Sequence, residues 1–117
     1  MIKEVAFVAV AVSDFGRSRK FYEETLGLKP GPVPEGVPFV EYEIGPVTVA
    51  IGQHPAWQPS RDGTTIAFEV EDIDAAIATL KERGAAFDME KTETPVCWMA
   101  QFRDPDGNKL LVHKRKN

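Results

Sequence analysis

Two stretches of the chain repeat one hydrophobic pattern: an apolar strand that ends in Val-x-Asp and runs into an amphipathic helix stopped by glycine. The first runs from Phe7 to Leu28 and the second from Thr65 to Gly84. In the first copy, Glu4 to Val12 reads as a strand with Phe7, Ala9 and Ala11 on one face and Val8, Val10 and Val12 on the other, because side chains alternate across a strand. Both faces are apolar, so the strand is expected to be covered on both sides. Ser13-Asp14 supplies an oxygen to cap a helix from Phe15 to Thr25. Phe15, Ser18, Tyr22 and Leu26 form its buried stripe, Arg17, Lys20, Glu23 and Glu24 its water face, and Gly27 its stop.

Lys29 to Pro38 holds four of the nine prolines and reads as a connection. Phe39 to Ile44 and Val47 to Ile51 alternate as strands and are joined by Gly45-Pro46, which predicts an antiparallel pair. Gly52 to Gly63 is a second loop, carrying His54 and Trp57. The pattern then restarts. Thr65 to Val70 is a strand, Asp72 caps a helix from Ile73 to Arg83, and Gly84 stops it. A short strand over Ala85 to Met89, a polar loop, and strands over Val96 to Phe102 and Lys109 to His113 complete the copy. Asp104 to Asn108, DPDGN, is a strong turn signal between the last two strands. Such an internal repeat predicts two like units, each a helix on a small sheet.

Composition narrows the partners. With 117 residues the chain is one domain in size and needs no disulfide or metal to fold. A net charge of −4 argues against nucleic acid, whose phosphates need clustered Lys and Arg. The basic run Lys114-Arg115-Lys116 reads as a solvated tail. The single cysteine, Cys97, excludes an intrachain disulfide and reads as a buried, inert thiol. The apolar N-terminus is too short for a membrane span and no small-residue cleavage site follows it, so a cytoplasmic location is expected.

FVAVAVSDFGRSRKFYEETLGL, IAFEVEDIDAAIATLKERG and the closing FRDPDGNKLLV, in this order, resemble the glyoxalase, bleomycin-resistance and extradiol-dioxygenase superfamily, the vicinal oxygen chelate fold. The resemblance covers nearly the whole chain. It implies an α+β fold of two tandem βαβββ modules, about 1–54 and 63–114 within a single domain over 1–117, forming a curved mixed sheet with a U-shaped cleft and helices outside. It also implies a homodimer. Metal-using members hold a divalent ion with His or Glu on the first and last strands of each module. At those positions this chain has Phe7, Ala50, Thr65 and Leu111. Phe, Ala and Leu offer no lone pair and a Thr hydroxyl is a poor ligand, so no metal cofactor is expected.

Strand parity then places Phe7, Ala9, Ala11, Thr48, Ala50, Thr65, Ala67, Glu69, Leu111 and His113 on the lining of the cleft. A small, apolar lining with a few polar groups suits a small-molecule pocket. Phe7, Ala50, Trp57, Thr65, Trp98 and Leu111 are the candidate ligand-binding residues, with Phe39 and Met99 beside them. Aromatic faces stack on flat or cationic ligands, so an aromatic or cationic small molecule is the expected partner. His113 and Glu69 are the candidates for acid–base chemistry, since histidine titrates near neutrality. Two readings follow. One is a metal-free small-molecule binding protein. The other is a lyase, isomerase or dioxygenase relative that uses His113 and Glu69 or a metal held elsewhere. A structural dimer without a ligand is a third.

Overall fold

The structure, a computed structural model, describes residue 1 and residues 3–116. The chain divides into two compact units, Met1–Pro59 and Ser60–Asn117, each built on one copy of the repeat.

In unit one, β1 (Val8–Ala11) leads to α1 (Phe15–Lys20), which widens into a single π-helical turn over Phe21–Thr25. β2 (Phe39–Ile44) and β3 (Val47–Gly52) follow. The sheet order is β1-β3-β2, with β1 parallel and β2 antiparallel to β3. β1 is shorter than its apolar run from Glu4: it pairs with β3 alone, and β3 itself begins at Val47. The Asp14 carboxylate caps α1, accepting from the Arg17 N–H at 3.1 Å. Gly27 ends the helical segment at φ 73°, a conformation that costs glycine nothing. The helix packs on the valine face. Val10, Val12, Val40, Val49 and Ile51 are buried there, and Tyr22 stacks on Tyr42 at 6.0 Å between ring centroids. The Tyr42 hydroxyl, fully buried, donates to Glu23 Oε2 at 2.9 Å, and Glu23 is held in turn by Arg19 at 2.7 Å. Burial, and then the bond to Glu23, push the Tyr42 phenol well above its ordinary pKa.

In unit two, β4 (Thr65–Glu69) is followed by α2 (Ile73–Glu82), β5 (Phe87–Glu93), β6 (Cys97–Arg103) and β7 (Lys109–Arg115). The order is β4-β7-β6-β5, with β4 parallel to β7 and the rest antiparallel. Asp72 caps α2 through the Ala75 N–H at 3.0 Å, and Gly84 stops it at φ 93°. Ile73 and Leu80 are buried with Ala100, Phe102, Leu110 and Val112. The DPDGN turn closes on itself: Asp104 Oδ1 accepts from the N–H groups of Asp106 and Asn108, and Oδ2 from the Asn108 amide at 2.8 Å. Asn108 Oδ1 then accepts from the Ser60 N–H, tying the start of the unit to its last turn.

Strand registers make the two units equivalent. Val8 and Ile66 lie opposite Val49 and Leu110, and these face Tyr42 and Phe102. The βαβββ pattern is complete in unit two. In unit one the strand after the helix shrinks to a single bridge, Pro30 to Tyr42, at the place where Phe87 pairs with Phe102. Pro30, Pro32 and Pro34 have no N–H to donate to a ladder, which accounts for the loss. Two sequence expectations need correction. Lys91 to Glu93 belong to β5 and are not loop. Lys114 and Arg115 are not tail but the end of β7, because β6 starts early enough to pair Cys97 with Arg115 and Trp98 with Lys114.

Candidate functional site

Unit one presents a sheet face with almost no side-chain bulk at its centre. Ala9 and Ala11 lie opposite Ala50 and Gly52, and Phe39 opposite Gly52. Aromatic rings stand over this floor. Phe7, which precedes β1, meets Phe39 edge to face at 5.6 Å, and Phe39 meets Trp57 in the same way at 6.5 Å. Ala50 is fully buried, while Phe7 and Trp57 remain 41% and 38% exposed. These rings therefore keep free faces.

Gly52 explains how Trp57 reaches the sheet. A Cβ at Gly52 would lie 2.6 Å from Trp57 Cζ3, closer than such atoms approach, and 3.1 Å from Phe39 Cδ2, a tight contact. Trp57 is delivered by a tight loop: its N–H donates to the His54 carbonyl at 2.8 Å, and His54 Nδ1 accepts from the Ala56 N–H at 3.0 Å. His54 is thus spent on shaping the loop. Beside Trp57 opens a pocket of about 390 Å³, lined by Val12, Pro38, Gln53, His54, Trp57 and Gln58 among others. Gln53 Oε1 also accepts from the Phe15 N–H, which fixes this wall to the start of α1.

On the corresponding face of unit two, Thr65 lies opposite Lys109, Ala67 opposite Leu111 and Glu69 opposite His113. Glu69 Oε1 sits 2.6 Å from His113 Nδ1, and Oε2 accepts from the Arg115 N–H at 2.8 Å. The backbone bond from Arg115, then the bond from His113, hold the Glu69 carboxyl below the usual carboxylate range. Trp98 is elsewhere. It shares strand parity with Ala100 and Phe102, which are buried on the helix side, and Lys116 Nζ lies 4.9 Å from its ring centre. Met99, opposite His113, belongs to the Glu69 face. Cys97 is buried, with its sulfur 3.1 Å from Thr94 Oγ1.

The mixed three- and four-stranded sheets, the parallel pairing of first and last strands and the DPDGN turn agree with a match over residues 4–112 to the Glyoxalase/Bleomycin resistance protein/Dioxygenase superfamily. The chain belongs to this superfamily. It is 32% identical over 108 residues to the anthracycline biosynthesis protein DauV of Streptomyces sp. strain C5, covering 88% of this chain and 38% of that protein. The chain therefore spans well under half of that relative's length. It is 29% identical to the uncharacterized protein YetH of Bacillus subtilis, with 96% and 98% of the two chains covered. Among solved structures, TnmS3, an antibiotic binding protein from Streptomyces sp. CB03234, superposes with a TM-score of 0.80 at 27% identity, covering 98% of both chains. A glyoxalase family protein from Bacillus anthracis superposes at 0.82 with 24% identity over 99% and 98% of the chains, which speaks for the fold alone.

The residues present do not fit the divalent ion that metal-using members of the superfamily hold. The register puts Phe7 and Thr65 one step before equivalent strand residues, and Ala50 and Leu111 at equivalent positions; of these four side chains only Thr65 carries an oxygen, and a hydroxyl is a poor ligand. Among the described residues no three His, Cys, Asp or Glu side chains converge. Sequence reasoning missed the role of Gly52, which it left in the loop, and the backbone bond from Arg115 to Glu69. A glycine aligned with His113 was the available signal for the first. The second depended on β7 being longer than its apolar run.

Proposed function

We propose that this superfamily member binds a small planar aromatic molecule without a metal, on the face of unit one bounded by Phe7, Phe39 and Trp57. The observation that carries this reading is the Trp57 indole lying over Gly52 beside an open pocket. Half-exposed aromatic rings gain by covering their free faces, and a flat ring stacked on Phe7 and Trp57 does so. The relatives support a fused-ring ligand, since one is named for anthracycline biosynthesis and another for antibiotic binding. Calorimetric titration with an anthracycline tests it. Trp57→Ala is expected to weaken binding about tenfold or more, as removal of a buried aromatic anchor does. Unchanged affinity would exclude the site. The working form in this reading is a cytoplasmic homodimer, which light scattering and cell fractionation check.

A second reading rests on the 2.6 Å contact between His113 and Glu69. Glu69 fixes the ring through Nδ1 and leaves Nε2 to move a proton, the arrangement of a general base with its orienting carboxylate. Under this reading the chain is a lyase, isomerase or dioxygenase relative. His113→Ala then abolishes turnover while the fold survives; activity that persists in this variant rules the dyad out.

A further inference from the structure

Unit two has a groove of its own at the end of β7. It has a volume of about 570 Å³ and is lined by Pro95, Val96, His113, Arg115 and Lys116. One wall is apolar. Val96 is 72% exposed, unusual for a large aliphatic side chain, and it is held in place from both sides. The Thr94 hydroxyl accepts from the N–H groups of Val96 and Cys97, and the Val96 carbonyl accepts from the Lys116 N–H. The other wall is cationic. Lys116 is already engaged, by Glu93 and by the Trp98 ring. The Arg115 guanidinium makes no hydrogen bond among the described residues, although its own backbone N–H is fixed on Glu69. Glu69 has both oxygens occupied, one by His113 and one by that N–H. His113 keeps Nε2 without a partner among the described residues.

We infer that this groove is a second ligand site, for a small organic carboxylate, with Arg115 as the anchor of the carboxylate and Pro95 and Val96 as the seat of its carbon skeleton. A guanidinium presents two parallel N–H groups that match the two oxygens of a carboxylate. The apolar wall distinguishes an organic acid from a bare anion.

The test uses the ¹⁵N-labelled full chain titrated with benzoate, read from the amide signals of Val96 and Lys116. Benzoate is expected to saturate and to bind more tightly than acetate and than benzamide, which has the same shape and no charge. Arg115→Gln is expected to weaken benzoate about tenfold, the scale of a lost charge-assisted pair. The bond to Glu69 comes from the backbone at Arg115, so it survives this substitution. Lys114→Gln removes a charge from the opposite face of β7 and leaves benzoate affinity unchanged. Equal binding of benzoate and benzamide, equal binding of benzoate and acetate, or equal losses in Arg115→Gln and Lys114→Gln each overturn the inference.

Discussion

Gly52 in unit one and His113 in unit two occupy equivalent places in their two separate sheets. Gly52 lies opposite Ala11 and His113 opposite Glu69, each on the central strand facing the parallel first strand. With the side chain removed, the space over β3 goes to Trp57, brought in from a loop. With a side chain kept, the space over β7 holds the hydrogen-bonded pair of His113 and Glu69. One backbone register thus carries two chemistries, and the residue at a single strand end chooses between them. A second equivalent pair repeats the lesson in the core. Tyr42 and Phe102 face Val49 and Leu110, and both are fully buried. Tyr42 adds a hydroxyl tied to Glu23, where Phe102 instead meets the ring of Phe87 at 5.2 Å.

The largest effects come from emptying these two core positions. Tyr42→Ala and Phe102→Ala should each cost about 3–5 kcal/mol in urea unfolding, the usual penalty for a large cavity in a packed interior. Similar losses for both would confirm their equivalence; a loss near zero for either would break it. Gly52→Ala comes next. The new methyl must displace Trp57 or Phe39, and overpacking of this kind costs about 1–3 kcal/mol. It should also weaken anthracycline binding, while His113→Ala leaves that binding alone. Tyr42→Phe makes unit one resemble unit two. It removes one buried hydrogen bond and should cost about 1 kcal/mol, with Glu23 still held by Arg19. No loss would mean that the hydroxyl contributes nothing to the core.

Much of this was legible because it depends on local rules. Asp14 and Asp72 cap as their side chains dictate, and Gly27 and Gly84 stop the helices in the left-handed conformation. Parity grouped Ala9 with Ala11, Ala67 with Glu69, and Leu111 with His113, and the registers keep these groupings within each sheet, because period-two alternation survives any change in strand length. What escaped depended on partners distant in sequence. The length of β7 was set by where β6 begins, so Arg115 was read as tail. Trp98 carried no local sign of its face; counting back from the buried Phe102 would have placed it on the helix side. The π-helical turn at Phe21–Thr25 has no signature in the residues. The close approach of Trp57 to Gly52 spans a loop whose path alternation cannot predict.

The smallest expected effect concerns the contact between Glu69 and His113 in unit two. Glu69 is held below its ordinary value of 4.5 by the Arg115 N–H and by His113. A depressed carboxyl favours the folded chain when ionised. Its contribution is therefore complete above the ordinary carboxylate range and is lost as pH falls below 4.5 toward the depressed folded value. Glu69→Gln should be slightly less stable than the parent chain at neutral pH, and the gap should close on acidification through this window. The effect is small because the pair is open to water, where screening weakens it. Unit one has Ala11 and Gly52 at these positions and contributes no such acid dependence there. A gap that stayed constant down to pH about 3 would mean that Glu69 acts through shape rather than charge, since a packing loss does not titrate.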